Sequence, residues 1–448
     1  MNKNTLILFL IVFGDMMGFS VIFPLFPETI RHYIQIGNDP IFLWIYQMAE
    51  SLAGDEGKAF LIVLFGGILG SIYSILQFIF SPIWGRLSDT VGRKPILLFT
   101  SLGNLLGYIV WLFSASFTSF VVSRLITGAM GGNISVASAS MADSTSIKDR
   151  AKGMGMIGAG IGLGFVFGPF LGGLLSGIEL GQIFPAFQSI TFTIFSASAC
   201  VSLLIAFFTF LLVGIIYKET LPKLVSNSSS DKSSSSLAND KENAEYKKSI
   251  HPIFDMFSSR FRNLFSISFI YLLFIFSFSG FEFCLNFFLN TEFSFTPKDI
   301  GLTFLFIGSI IIFIQGGVVR RLSGKVAEVK IAIVGTVFLS LGYLGLLGFP
   351  KNTGLLFLFL GLLSVGSALL HPSLSSIASL RSSANHQGRN LGIFRAFGSL
   401  ARAFAPLAFA IAYFQKGPYL VFVVCIGFSL AFGFLLLVIR EHKKEKIA

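Results

Sequence analysis

Apolar runs of about twenty residues recur along almost the whole chain, and nothing else in it limits the fold so severely. A helix rises ~1.5 Å per residue, so ~20 apolar residues cross a hydrocarbon core of ~30 Å. Twelve such runs can be marked, at about residues 5–25, 59–82, 96–114, 118–140, 153–177, 190–216, 264–289, 300–319, 329–349, 353–377, 390–414 and 417–439. Inside lipid every backbone N–H and C=O must find its partner within the protein, and at this length the structure that achieves it is a helix. The expected fold is therefore an all-α polytopic membrane protein with 12 transmembrane helices. With 54% hydrophobic and 12% charged residues and a mean hydropathy of +0.79, the composition lies outside the range of soluble domains.

The first run contains Asp15 and Pro24 and has no small-residue cleavage site, so it reads as a retained helix. A formal charge of +11 invites a nucleic-acid reading, but the distribution of the 33 Lys and Arg argues otherwise. With twelve spans and both termini cytoplasmic, 25 fall on the cytoplasmic side, five outside and three within spans. That is an orientation signal, and it implies neither nucleic acid nor nucleotide as a partner. Cys200, Cys284 and Cys425 all fall within spans, which argues against a disulfide framework. Residues 217–263 are Ser- and Lys-rich and cannot bury a core, so they read as a mobile cytoplasmic linker between six spans in 1–216 and six in 264–448. The halves echo one another: a shift of 237 pairs Pro169 with Pro406 and Gly155 with Gly392, and a shift of 235 pairs Arg86-Leu87-Ser88 with Arg321-Leu322-Ser323. Two six-helix bundles related by a pseudo-two-fold axis along the membrane normal are expected.

Three motifs carry most of the functional signal. Gly155, Gly164, Gly168-Pro169 and Gly172-Gly173 lie in one apolar run, where the proline bends the helix and the glycines let a neighbour approach closely. The loop Gly85-Arg86-Leu87-Ser88-Asp89-Thr90-Val91-Gly92-Arg93-Lys94 sets a carboxylate among cations, an arrangement able to latch one conformation through Asp89, Arg93 and Lys94 with Gly85 and Gly92 shaping the turn. Its second-half counterpart, Gly317 to Lys325, has no acid at the Asp position, so the latch is asymmetric. The first run reads Asp15-Met16-Met17-Gly18, and the fourth carries Arg124-Leu125-Ile126-Thr127-Gly128.

These segments resemble the major facilitator superfamily: the span-5 pattern is similar to its antiporter signature, and the 85–95 loop to its hallmark loop. The first span resembles the tetracycline/proton antiporter branch. Arg124 to Gly128 is similar to the family's Arg-x-x-Gln-Gly motif, with Thr127 in place of Gln. Gln315-Gly316-Gly317 and Arg395-x-x-Gly398-x-x-x-Arg402 look most like its organic-anion-associated, tetracycline-transporter-like members. The resemblance implies the superfamily fold and exchange of a substrate for protons. One departure stands out: Ile331 to Phe349 contains no acid where tetracycline exporters carry one, which argues against tetracycline itself.

Ionisable groups within spans are costly and are functional candidates by default. Asp15, Arg124 and Glu282 are the candidates for proton coupling. Arg402 and Arg395, about 10 Å apart along one helix face, are candidates for an acidic substrate group, since Arg presents a planar fork to carboxylate or phosphate. Asn286, Gln77, Tyr73 and Asn104 are candidates to line the cavity. The alternative is that these charges pair among themselves and only hold helices together, or that Arg395 snorkels to the interface. His371 is open between proton relay and packing. There is no Gly-Lys-Ser/Thr loop, no metal-spaced His/Cys cluster and no Gly-x-Ser-x-Gly elbow, so neither enzyme, metal, cofactor nor ATP-driven pump is expected. The sequence predicts a monomeric secondary transporter in a lipid bilayer, a bacterial inner membrane or an organelle, exporting a small organic anion or amphipath against protons. A proton symporter or uniporter importing a metabolite is the rival, and a non-transporting sensor or scaffold a remote one.

Overall fold

The computed structural model describes residues 3–25, 32–33, 35, 39–53, 57–146, 149–175, 178, 180, 192–193, 195–221, 262–348, 352–382 and 387–438. Their helices are α1 (Lys3–Ser20), α2 (Pro40–Ala53), α3 (Gly57–Val91), α4 (Arg93–Leu112), α5 (Phe117–Met130), α6 (Asn133–Asp143), α7 (Arg150–Leu175), α8 (Ser196–Ile215), α9 (Arg262–Phe293), α10 (Pro297–Phe313), α11 (Glu328–Gly348), α12 (Thr353–Leu380), α13 (Gln387–Lys416) and α14 (Pro418–Val438). No strand occurs among the described residues. Among the described residues, eleven helical stretches are long and apolar enough to cross a membrane, and the remaining expected span, 59–82, lies within the 35-residue α3. Exposed side chains fit a lipid surround: Phe313, Ile215 and Leu437 are 72, 77 and 68% exposed, which water would oppose.

Contacts sort the helices into halves. In the first, α1 lies on α7, α4 on α5 and α8, and α3 on α5; in the second, α11 lies on α12 and α14, and α9 on α13 and α14. Two seams join them, α3 along α13, and α7 against α10 and α12. Most of the expected linker lies outside the described residues, as does the C-terminal tail.

Three features depart from the expected spans. The fourth is broken at Gly131-Gly132 into α5 and α6. A Cβ on Gly132 would stand 2.8 Å from Ser81 N and from Trp84, so the break lets α3 press against the chain. The eighth continues from α10 into a π-helical turn, Ile314–Val319. Between the first two spans, α2 was not expected. Asp39 holds its start, accepting from Ile41 N at 3.0 Å and Phe42 N at 3.1 Å, and ties it to α5 by accepting from Thr118 N at 2.8 Å. Partial burial opposes the Asp39 carboxylate, but these N–H donors and the Thr118 hydroxyl outweigh it and keep its pKa below the ordinary aspartate value.

Candidate functional site

A polar bridge crosses the α3–α13 seam at the core of the molecule. Arg402 donates through one Nη to Gln77 Oε1 at 2.8 Å and to Ser399 Oγ at 3.1 Å; Ser399 also donates to Gln77 Oε1, at 2.7 Å. Gln77 Nε2 donates to Gly131 O at 2.9 Å, using a carbonyl that the break between α5 and α6 leaves available. About two turns of α13 before Arg402, Arg395 donates to Tyr271 OH at 3.1 Å and Ser375 Oγ at 3.3 Å, with Phe394 and Tyr271 rings beneath the guanidinium. Arg395 is 4% exposed, so it is held in the interior and does not snorkel.

Two small cavities meet at Arg402. The first, about 10 Å³, is lined by Met16, Gln77, Tyr271, Arg395 and Arg402; the second, about 30 Å³, by Phe19, Phe165, Glu282, Phe283, Arg402 and Pro406. Residues from both halves line each cavity, which are too small for an organic molecule.

Asp15 precedes Met16, which lines the first cavity, and is 8% exposed on α1. Its Oδ1 accepts from Asn104 Nδ2 at 2.8 Å, while Asn133 approaches the carboxyl without completing a hydrogen bond to Oδ2. A carboxyl with a buried, unanswered oxygen is a group that can take up a proton. No ion pair joins Asp15, Arg124, Glu282, Arg395 or Arg402 among the described residues, so mutual pairing of the intramembrane charges is not what the structure displays. Arg124 instead stacks on Trp111, 4.1 Å from the ring centroid, an interaction worth ~0.5–2 kcal/mol.

At the Lys/Arg-rich end, Asp89 spans the same seam. Its two oxygens accept from the backbone N–H of Gly388 (3.0 Å) and Arg389 (2.9 Å), the free donors at the start of α13. Arg93 pairs with Asp89 at 2.7 Å and with Asp143 at 2.9 Å, and donates to Ser88 Oγ at 2.6 Å. Gly85 and Gly388 bring the two backbones into direct contact. Gly92, at φ 114°, makes the turn between α3 and α4. The backbone N–H of Arg93 and of Lys94 donate to Glu219 at 3.0 and 2.9 Å, and Lys94 Nζ donates to Gly214 O. Burial works against the Glu219 carboxylate, but the N–H groups of Leu221, Lys94, Arg93 and Thr220 prevail and hold its pKa below the ordinary value.

The glycine-rich α7 uses two faces. Cβ atoms on Gly164 and Gly168 would collide with α1 at Met16 and Ser20, and one on Gly172 with Val21 just beyond it; Ser20 Oγ donates across to Gly164 O at 3.0 Å. Gly155 instead faces Pro372 and Val319 of the second half, each at 3.7 Å from a built Cβ. Pro169 lies inside the helix, and Gly173 near its end.

The sequence candidates thus separate. Gln77, Arg395 and Arg402 come together, with Glu282 on the second cavity. Tyr73 is buried and stacked on Phe19 at 4.1 Å between ring centroids. Asn104 serves Asp15, and Asn286 Nδ2 turns back to Glu282 O of its own helix at 3.3 Å. His371 sits among the rings of Tyr271, Phe274 and Phe278. Sequence reasoning did not single out Tyr271, Ser399, Ser375 or Glu219. Ser399 lay on the Arg395/Arg402 helix, so a helical-face reading would have found it.

Known proteins supply the remaining context. A sequence model described as the Major Facilitator Superfamily matches residues 8–350 and 317–448. "Major facilitator superfamily domain-containing protein 10" from Mus musculus is 32% identical, over 99% of this chain and 94% of that protein; the Homo sapiens protein of that name is 33% identical, over 96% and 91%. "Tetracycline resistance protein, class B" from Escherichia coli is 26% identical, over 93% and 90%. A crystal structure titled as the human organic anion transporter MFSD10 (TETRAN) superposes with a TM-score of 0.80 at 30% identity, covering 97% of this chain and 99% of that one. The proton:xylose symporter XylE superposes with a TM-score of 0.71 at 14% identity, covering 97% of this chain and 95% of XylE, which speaks to fold alone. With matching fold and sequence over nearly its whole length, the chain belongs to the Major Facilitator Superfamily of membrane transporters.

Proposed function

We propose that the protein exchanges protons for a small organic anion or amphipathic anion by alternating access, with both termini cytoplasmic and the monomer as the working unit. The observation that carries this reading is Arg402, a half-buried guanidinium that bridges the halves and shares a cavity with Glu282, yet makes no ion pair with a carboxylate among the described residues. A substrate carboxylate or sulfonate would replace Gln77 and Ser399 as its acceptor, and opening the seam would expose Arg395 on the same face. Asp15 carries the proton, and Asp89 with Arg93 closes the cytoplasmic end. The domain halves 1–216 and 264–448 rock as bundles about the central site. The organic anion transporter named among its relatives supports the substrate class, and the tetracycline resistance proteins support export.

Proteoliposomes holding a panel of radiolabelled organic anions, zwitterions and cations test this. With protons more concentrated on the opposite side, anions should move several-fold faster than without a gradient, and Arg402→Ala should abolish the movement. Preferential transport of cations, or flux indifferent to the proton gradient, would sink the proposal and favour a uniporter.

A further inference from the structure

Arg124 takes no part in the exchange proposed above, yet a guanidinium this deep in the membrane interior has to be answered by something. It is 3% exposed on α5, and no ion pair joins it among the described residues. Its Nε and Nη2, the two parallel donors of the side-on fork, meet no acceptor in the protein. The ring stacked on it belongs to Trp111 of α4, itself fully buried, and the indole Nε1–H is likewise unanswered. Indole nitrogen and guanidinium only donate, so neither can satisfy the other.

The surroundings add donors and rings. Tyr108, Tyr73 and Tyr33 lie within electrostatic reach of the Arg124 charge. Ser114 approaches the buried Tyr33 hydroxyl without completing a bond, which leaves that proton free to turn. Phe120 lies 5.2 Å from the guanidinium carbon, and Tyr33 packs on Phe117 and Phe120 at 5.1 and 6.3 Å between ring centroids. Ring edges carry partial positive charge, so they too favour an anion over a cation. Rings packed this closely suit a single-atom anion rather than a carboxylate with its carbon chain.

We propose that Arg124 and Trp111 hold a chloride ion, with the Arg fork and the indole N–H as donors and the Tyr33 hydroxyl beside them. The ion cancels a charge that would otherwise lie buried and uncompensated, and it accepts from N–H groups of two helices at once. It therefore ties α4 to α5 beneath α2, whose Phe42 packs on Phe117 at 5.4 Å between centroids. Trp111 follows Arg93 along α4 by roughly 27 Å, so the site stabilises the end of the first half away from the Asp89 clasp.

Thermal unfolding of the purified full-length protein tests the site, in sodium chloride, bromide, formate or gluconate at fixed ionic strength. The melting temperature should rise by several degrees from gluconate to saturating chloride, with bromide matching chloride and formate matching gluconate. Arg124→Gln should abolish the rise. Trp111→Phe, which keeps a ring under the guanidinium, should raise the midpoint chloride concentration about tenfold, the loss of one charge-assisted bond. A wild-type melting temperature indifferent to chloride would overturn the proposal and leave water as the partner of these donors. So would a rise unchanged in Arg124→Gln, or one lost only in Arg402→Gln, which would move the ion to the central bridge. Formate as effective as chloride would overturn the single-atom assignment. If Arg124→Gln fails to fold, binding of radiolabelled chloride to wild type and Trp111→Phe decides: weaker binding in the variant is expected, and equal binding overturns the site. Neither measurement involves transport, so the outcome is independent of the exchange proposed above.

Discussion

At the scale of single residues, the proposed function rests on charges that the fold draws into the membrane interior without an ion pair among the described residues. Arg402 and Gln77 are 325 positions apart, yet one bond of 2.8 Å joins them across the halves. Replacing Arg402 by Lys keeps the charge but loses the planar fork, so apparent affinity for an organic anion should fall by roughly tenfold to hundredfold with the protein still folded; a binding titration on the purified variant checks this. Glu219 offers a prediction of pH dependence. Its folded pKa is depressed below the ordinary 4.5, so its stabilising effect is present above that value and is lost as pH falls through the folded one. The melting temperature should therefore decline below about pH 4.5, and the decline should be shallower in Glu219→Gln. Asp15, Arg124, Glu282, Arg395 and Arg402 were legible as buried charges because they interrupt apolar runs. Their partners were not, since nothing local in a sequence says that Arg124 meets Trp111 or that Asn286 bonds its own helix.

At the scale of elements, spans and their order were readable because hydropathy is a local property. The 14-residue α2 was missed because it is too short to cross a bilayer and its tie to Thr118 is non-local. The break between α5 and α6 was missed because a Gly-Gly pair in an apolar run reads equally as continuous helix. For Asp89 both an Arg ion pair and a helix N-terminus were open, but which helix was not legible, because the partner is backbone N–H at the start of α13 and has no side-chain signature. On α7, Gly168→Val should drive side-chain atoms into Ser20 and the Met17 carbonyl, costing on the order of 1–3 kcal/mol or more. A thermal melt should show the loss, while Gly155→Ala, at 3.7 Å from its neighbours, should leave it nearly unchanged.

For the molecule as a whole, the two halves are clasped at one end by Asp89 and bridged at the centre by Arg402. Asp89→Ala removes the acceptor for two N–H groups and one of the two carboxylates paired with Arg93, which should cost the clasped state on the order of 3 kcal/mol. Spin labels at the exposed Thr90 and Lys330 should then report a longer distance in a larger share of molecules. The central claim is that Asp15 couples protons to the movement of an anion. Internal pH should be followed in acid-loaded proteoliposomes of wild type and Asp15→Asn while a transported anion is added. Proton release that follows the anion in wild type, and vanishes in the variant while the anion still binds, is the predicted result. Proton release persisting at the wild-type rate in Asp15→Asn would contradict it.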